Sequence, residues 1–88
     1  MDESEHLVVY GARKCVYCTK LLDILRGLEI EFTKVSVRQN EEALRFLGSQ
    51  GLHTVPQVFK LDGTHIGGYE ETLDYLLMKG VLKGAFNE

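Results

Sequence analysis

The chain has 88 residues and a formal charge of −3, because 13 acidic side chains outnumber 10 basic ones. This length predicts one domain over residues 1–88 and excludes a multidomain enzyme. A hydrophobic fraction of 44% is too high for a disordered protein. The acidic balance argues against a nucleic-acid partner, because such binding needs a basic face. No apolar run approaches the ~20 residues of a membrane span, so we expect no membrane partner. The acidic start is unlike a signal peptide, so we expect a cytoplasmic protein. We also expect a monomer.

The predicted elements follow the order strand, helix, strand, helix, hairpin, helix. Apolar residues recur at helical spacing in the helices and mostly alternate with polar ones in the second strand. Asn40 can cap the second helix, and Asp62-Gly63 is typical of a hairpin turn. In chain order the elements are a strand at 7–10, a helix at 15–28, a strand at 30–38, a helix that starts at Glu41 and ends at Gly48 or Gly51, strands at 58–61 and 64–66, and a helix after Gly68.

Two strand–helix–strand units followed by a hairpin predict an α/β domain with a mixed sheet covered by helices. A crossover helix returns the next strand in parallel, so both units are expected to supply parallel strands, and the hairpin adds an antiparallel edge. The side chains expected to be buried are Ala43, Leu44, Leu47 and in part Phe46 in the second helix, and Leu73, Tyr75, Leu76, Leu77 and Val81 in the third.

Cys15 and Cys18 are the only cysteines, and they open the first predicted helix. A thiol at a helix N-terminus faces unpaired backbone N–H groups and the positive end of the helix dipole. Such a site lowers the pKa of a cysteine, and Arg13 and Lys14 add positive charge. We therefore expect Cys15 to be the exposed nucleophile and Cys18, almost one turn further on, to be the thiol that resolves a mixed disulfide.

Other interpretations of the two cysteines stay open at this point. They are too close in sequence to staple a fold, and they could be ordinary buried residues. They supply half of a tetrahedral zinc site, but the three histidines His6, His53 and His65 are scattered and no second closely spaced pair exists. An iron–sulfur cluster shared between two chains is a further alternative.

Two later segments also indicate binding. Pro56 is the chain's only proline and stands at the start of a strand, where it could leave the preceding backbone free to pair with another chain; otherwise it is a trans proline that only starts the strand. Gly67-Gly68 precedes a helix whose N-terminus could hold a carboxylate, although an ordinary tight turn has the same signature. Glu70 and Glu71 complement the helix dipole or hold a ligand's ammonium group.

Taken together, these segments resemble those of a glutaredoxin of the thioredoxin superfamily. The sequence C-V-Y-C at 15–18 resembles the family's C-P-Y-C, T-V-P-Q-V-F at 54–59 its T-V-P-x-V-F, and the glycine pair its G-G. The resemblance is greatest to the short phage glutaredoxins, whose valine in the first motif recurs as Val16. It implies a thioredoxin-like βαβαββα fold, in which a central four-stranded mixed sheet is flanked by three helices.

The resemblance implies a dithiol electron carrier that takes electrons from glutathione or thioredoxin reductase and reduces protein disulfides, with ribonucleotide reductase as the expected client. Glutathione is then a co-substrate, and no metal or tightly bound cofactor is expected. Because fold alone does not determine function, a non-catalytic binding or cluster-carrying module is the alternative. The second thiol, Cys18, favours the carrier.

The residues that the resemblance assigns to glutathione form one set. They are Lys14, Tyr17, Thr54, Val55, Pro56, Gln57, Gly67, Gly68, Glu70 and Glu71. In the family pattern the ring of Tyr17 lies against the tripeptide, and the Val55 backbone pairs with its cysteinyl part beside a cis Pro56. Gly68 receives the γ-glutamyl carboxylate near Glu70 or Glu71. Lys14 or Gln57 meets the glycyl carboxylate. Val16 departs from the pattern, because it restores an N–H that proline lacks and should change the stability of the thiolate.

Overall fold

The computed structural model describes residues 6–80 of the chain. Within this range it contains the elements predicted from the sequence, in the predicted order. They are β1 (His6–Gly11), α1 (Val16–Gly27), β2 (Glu31–Ser36), α2 (Glu41–Ser49), β3 (Gln57–Lys60), β4 (His65–Gly67) and α3 (Tyr69–Met78). None of these helices is both long and apolar enough to cross a lipid bilayer.

The four strands form one mixed sheet in the order β2-β1-β3-β4, which confirms the predicted sheet and fold class. β1 and β2 are parallel, whereas β3 runs antiparallel to both β1 and β4. The expectation that the second crossover returns the chain in parallel is therefore wrong. The segment after α2 comes back to the end of the sheet from which the chain left, so that Gln57, the first residue of β3, pairs with Tyr10 near the end of β1. This reversal places the residues before β3 beside the loop that follows β1.

Helices cover both faces of the sheet. On one face, α1 and α3 pack against alternate residues of β1 and β3. The core cluster there consists of Leu7, Val9, Leu21, Leu22, Leu25, Ile30, Val58 and Leu76, with Leu73 and Tyr75 partly buried against it. On the other face, Phe46 of α2 packs on two sheet residues, its ring centroid lying 5.7 Å from that of Tyr10 and 5.2 Å from that of Phe59.

The predicted apolar side of α2 is correct for Ala43 and Leu47, which are buried one turn apart. It is wrong for Leu44, which is 57% exposed. Leu44 lies about 100° round the helix from Ala43 and so falls outside the stripe that Ala43 and Leu47 bury.

In α3 the buried stripe is rotated relative to the prediction. Thr72 and Leu76 are fully buried, whereas Leu77, predicted to be buried, is 40% exposed. Because threonine is polar, the hydrophobic pattern does not mark position 72 as buried. Val81 lies outside the described residues.

The ends of α2 follow local chemistry. Asn40 is the predicted N-cap, and its Oδ1 accepts a hydrogen bond of 3.0 Å from the Ala43 N–H. The helix continues to Ser49, so Gly48 lies within it. Gly51, with φ of +76°, follows the C-cap, where a left-handed conformation suits glycine.

The predicted hairpin joins β3 to β4 and is held at its tip by Asp62. The Thr64 N–H donates to Asp62 Oδ1 at 2.9 Å, and the Gly63 N–H donates to the Lys60 carbonyl at 2.9 Å. The hydrogen bonds from Thr64, first its backbone N–H, hold the pKa of the Asp62 carboxyl below its ordinary value.

We expect the stability of this turn to fall at acid pH. Because the folded-state pKa of Asp62 is lowered, its stabilisation is complete above the unfolded-state pKa and is lost as the pH falls through the folded-state pKa. Asp62→Asn should remove that pH dependence while keeping an acceptor oxygen. Exchange of the Thr64 amide hydrogen, followed by NMR across the acid range, measures the effect. Identical pH profiles for the wild type and the variant would contradict it.

Candidate active site

The two cysteines lie at the start of α1, as predicted. Cys15 is the N-cap residue, and the Cys18 N–H donates a 3.1 Å hydrogen bond to Cys15 Sγ. The two sulfurs are joined in a disulfide, with the Cα atoms 5.1 Å apart. Cys18 is only 3% exposed, whereas Cys15 is partly exposed. Cys15 therefore lies at the protein surface, and Cys18 is buried beneath it.

The N-cap position also suits the reduced protein. A Cys15 thiolate would accept the Cys18 N–H in a charge-assisted hydrogen bond and would face the positive end of the α1 dipole. Both interactions favour the charged sulfur, which is the nucleophile of thiol–disulfide exchange.

Gly11 is a site residue that sequence reasoning missed, because it was interpreted only as the end of a strand. A Cβ atom at Gly11 would lie 3.1 Å from Cys18 Sγ and 3.4 Å from Cys18 Cβ. Since Cys18 is buried, a side chain at position 11 would displace the inner sulfur. Gly11 lies seven positions before Cys18, and nothing local in the sequence indicates the contact.

A second segment approaches the dithiol from across the sheet. The Val55 carbonyl oxygen lies 3.6 Å from Cys15 Sγ, and the peptide bond between Val55 and Pro56 is cis, as the resemblance implies. Pairing of β3 with β1 starts only at Gln57. Among residues 6–80 the Val55 N–H has no hydrogen-bond partner. Its backbone is therefore available to an external chain beside the outer sulfur.

A pocket of about 310 Å³ adjoins this segment and brings together most of the set assigned to glutathione. Its lining residues are Tyr17, Thr54, Val55, Pro56, Gly68, Tyr69, Glu70 and Glu71. Tyr69 was not predicted; its ring centroid lies 5.0 Å from that of Tyr17. Lys14, Gln57 and Gly67 do not line the pocket.

Glu71 and Glu70 have different surroundings. The Gly68 N–H donates to Glu71 Oε1 at 2.9 Å, so Glu71 caps its own helix. Glu70 is exposed at the pocket and has no hydrogen-bond or ion-pair partner among the described residues. Gly67 makes room for the cap, because a Cβ atom there would lie 2.5 Å from Glu71 Cβ.

Gln57 is buried behind the pocket rather than inside it. Its Nε2 donates to Thr54 Oγ1 at 3.2 Å, and its Oε1 lies 2.7 Å from His65 Nε2. The side chain thus ties β4 to the segment that precedes Val55. Lys14 is exposed in the loop before Cys15.

The histidines considered as zinc ligands have other neighbours. His6 Nε2 lies 2.8 Å from Thr33 Oγ1, and His65 lies against Gln57. In the part of the chain that the structure describes, no group of three or more His, Cys, Asp or Glu residues could hold a metal ion.

After reduction, we expect Cys15 to be alkylated well before Cys18, because the outer sulfur is accessible and the inner one is buried. Brief treatment with iodoacetamide, followed by peptide mass spectrometry, gives the two rates. The same treatment of urea-unfolded protein is the control, in which the two rates should converge. Faster modification of Cys18 in the folded protein would reverse the assignment.

A mixed four-stranded sheet with three helices and a dithiol at the start of the first helix defines a thioredoxin-like protein with a redox-active dithiol. The family model for glutaredoxin matches residues 7–66, which is more than half of the chain. The chain therefore belongs to the glutaredoxin family, as the sequence motifs implied.

Individual relatives agree with this assignment. Glutaredoxin from Enterobacteria phage T4 is 34% identical to this chain. The match covers 76% of this chain and 94% of that relative. Glutaredoxin-C4 of Arabidopsis thaliana is 33% identical over 81% of the chain, which spans only 55% of that relative. The crystal structure of a buckwheat glutaredoxin–glutathione complex superposes with a TM-score of 0.69 at 28% identity, covering 86% of this chain and 71% of the other.

Proposed function

We propose that the protein is a dithiol glutaredoxin, a thiol–disulfide oxidoreductase that passes electrons from glutathione to protein disulfides. The arrangement of Cys15 carries the proposal: its sulfur is partly exposed at a helix N-terminus, is 3.6 Å from the Val55 carbonyl oxygen and lies directly above the buried Cys18. An exposed nucleophile, a protected second thiol and a free backbone edge are the parts that such an exchange needs.

In the proposed cycle, the Cys15 thiolate attacks one sulfur of a substrate disulfide. The substrate S–S bond breaks, the departing sulfur leaves as a thiolate that takes a proton from water, and a mixed disulfide forms at Cys15. The Cys18 sulfur, after losing its proton, then attacks Cys15 Sγ and expels the second substrate sulfur as a thiolate, which takes a proton from water. The substrate gains two electrons and two protons, and the protein keeps the Cys15–Cys18 disulfide. Two glutathione molecules restore the dithiol and become glutathione disulfide.

Glutathione is proposed as the reductant because the pocket beside Cys15 has suitable groups for a tripeptide. Tyr17 offers an aromatic face, the Val55 backbone offers a donor and an acceptor, and Glu70 offers an unpaired carboxylate to the ligand's amine. The buckwheat glutaredoxin forms a complex with glutathione. The γ-glutamyl carboxylate would share the α3 N-terminus at Gly68 with Glu71.

The remaining assignments rest on the resemblance to short phage glutaredoxins. We propose Lys14 for the glycyl carboxylate, because the amide of Gln57 is bonded at both ends and acts by holding Thr54. Ribonucleotide reductase is the proposed protein client, thioredoxin reductase a second reductant and the cytoplasm the compartment.

A coupled assay tests the proposal. The protein is supplied with NADPH, glutathione reductase, glutathione and bis(2-hydroxyethyl) disulfide, and in parallel with NADPH and thioredoxin reductase. Turnover with glutathione is expected, and Cys15→Ser should abolish it. The variant Ser49→Ala, on the exposed end of α2, is the control and should retain it. Turnover with thioredoxin reductase alone would refute glutathione as the reductant, and absence of turnover with both reductants would refute the oxidoreductase function. Visible absorbance of the purified protein would favour a cluster carrier instead.

A further inference from the structure

A chain of hydrogen bonds leads from β4 to the pocket beside Cys15. His65 Nε2 lies 2.7 Å from Gln57 Oε1, and Gln57 Nε2 donates to Thr54 Oγ1 at 3.2 Å. Thr54 lines the pocket and immediately precedes Val55, whereas the other two residues of the chain do not line it. The chain therefore connects the edge strand of the sheet to a hydroxyl group at the candidate glutathione site.

Gln57 and His65 are held by their surroundings. Gln57 is only 7% exposed, and it begins β3 opposite Tyr10 of β1. His65 pairs with Phe59 across β3 and β4, and the centroids of these two rings lie 4.7 Å apart. Because a buried amide group without partners is costly, we expect Gln57 to keep both of its hydrogen bonds. The direction in which the donors point along the chain is then fixed.

The donors of this chain all point toward Thr54. Gln57 Oε1 only accepts hydrogen bonds, so His65 must carry a proton on Nε2. Gln57 Nε2 only donates, so Thr54 Oγ1 is the acceptor of the second bond. The Thr54 hydroxyl therefore does not direct its own proton at the amide, and within residues 6–80 its oxygen has no other hydrogen-bond partner. Its proton is free to point into the pocket.

We propose that Gln57 and His65 are positioning residues that make the Thr54 hydroxyl a hydrogen-bond donor to the substrate. The acceptor is a carbonyl or carboxylate oxygen of the peptide that pairs with the Val55 backbone. The inference rests on the proposed function and adds to it a source of binding specificity, because the reversed chain would present an acceptor in place of a donor.

The tautomer of His65 reports the direction of the whole chain. A proton on Nδ1 would leave Nε2 as an acceptor for a turned Gln57 amide, and the Thr54 hydroxyl would then donate to the amide oxygen. Long-range proton–nitrogen NMR spectra of the oxidised protein distinguish the two tautomers at about pH 8.5, where histidine is ordinarily neutral. His65→Phe, which keeps a ring beside Phe59, assigns the signals. We expect the proton on Nε2, and a proton on Nδ1 would overturn the proposal.

A double-mutant cycle tests the role of the hydroxyl. Gln57→Glu replaces the amide donor by an acceptor, so the Thr54 hydroxyl should turn back to donate to the carboxylate. We expect KM for the mixed disulfide of glutathione and 2-mercaptoethanol to rise about 3- to 10-fold. In the Thr54→Val background, which has no hydroxyl, the same change should have little effect on KM. An equal rise in both backgrounds would mean charge repulsion or a distorted fold and would overturn the proposal.

A matched control makes the same chemical change elsewhere. Gln50→Glu, at the exposed C-cap of α2, should leave KM unchanged. If the wild type did not reduce the glutathione mixed disulfide at all, the proposed function would fail, whereas the tautomer of His65 would still be measured. The two failures are therefore distinguishable.

Discussion

Cys18→Ser is expected to retain reduction of glutathione mixed disulfides and to lose most reduction of protein disulfides. Attack by glutathione on a mixed disulfide at Cys15 needs no second protein thiol. Release of a bulky protein partner depends on Cys18, whose thiol acts intramolecularly because its sulfur is placed to bond to Cys15 Sγ. Because intramolecular groups have high effective concentrations, we expect a loss of at least about 100-fold in protein-disulfide turnover.

Two substrates measured with the same variants give the test. Turnover of a glutathione mixed disulfide and of insulin disulfides is compared for the wild type, Cys18→Ser and Cys15→Ser. Cys15→Ser should lose both activities, since it removes the nucleophile. If Cys18→Ser lost both activities equally, Cys18 would have a role other than resolving mixed disulfides.

Gly67→Ala is expected to be the most destabilising single-methyl change at the site. Gly67 has φ of +136°, which side chains with a Cβ rarely adopt, and a Cβ there would meet Glu71 Cβ at 2.5 Å. Backbone strain and overpacking together predict a loss of about 2–4 kcal/mol in the free energy of unfolding. For a domain of this size the midpoint Tm should fall by roughly 8 °C or more. The junction of β4 and α3 also forms the pocket at Gly68, so glutathione binding should weaken.

The neighbouring glycine is the matched control. Gly68 has φ of −91°, and a Cβ there would lie 3.3 Å from Glu71 Oε1, the end of a flexible side chain, and 3.4 Å from the Pro56 carbonyl oxygen. Gly68→Ala should therefore cost about 1 kcal/mol or less. Thermal unfolding followed by circular dichroism measures both variants. Similar losses at the two positions would contradict the conclusion that Gly67 is required for its backbone conformation and for the Glu71 cap.

Much of the candidate site could be predicted because its parts are local. Cys15 and Cys18 are three residues apart at a predicted helix start, which is enough to place one sulfur at the N-cap and the other on the buried side. The caps at Asn40 and Asp62 likewise join residues two or three positions apart. Such interactions depend on short-range backbone geometry, and residue type and spacing therefore indicate them directly.

The sequence by itself determined the order of the elements, the pairing of an outer and an inner thiol, and the motifs that identify the family. Only the tertiary structure decided that β3 runs antiparallel to β1 and that Val55, 40 positions from Cys15, lies against its sulfur. It also decided that Leu44 is exposed on α2 and that Tyr69 packs on Tyr17. Hydrophobic periodicity reports which side of an element is buried but not from which end the chain re-enters the sheet, because that depends on how all the elements pack together.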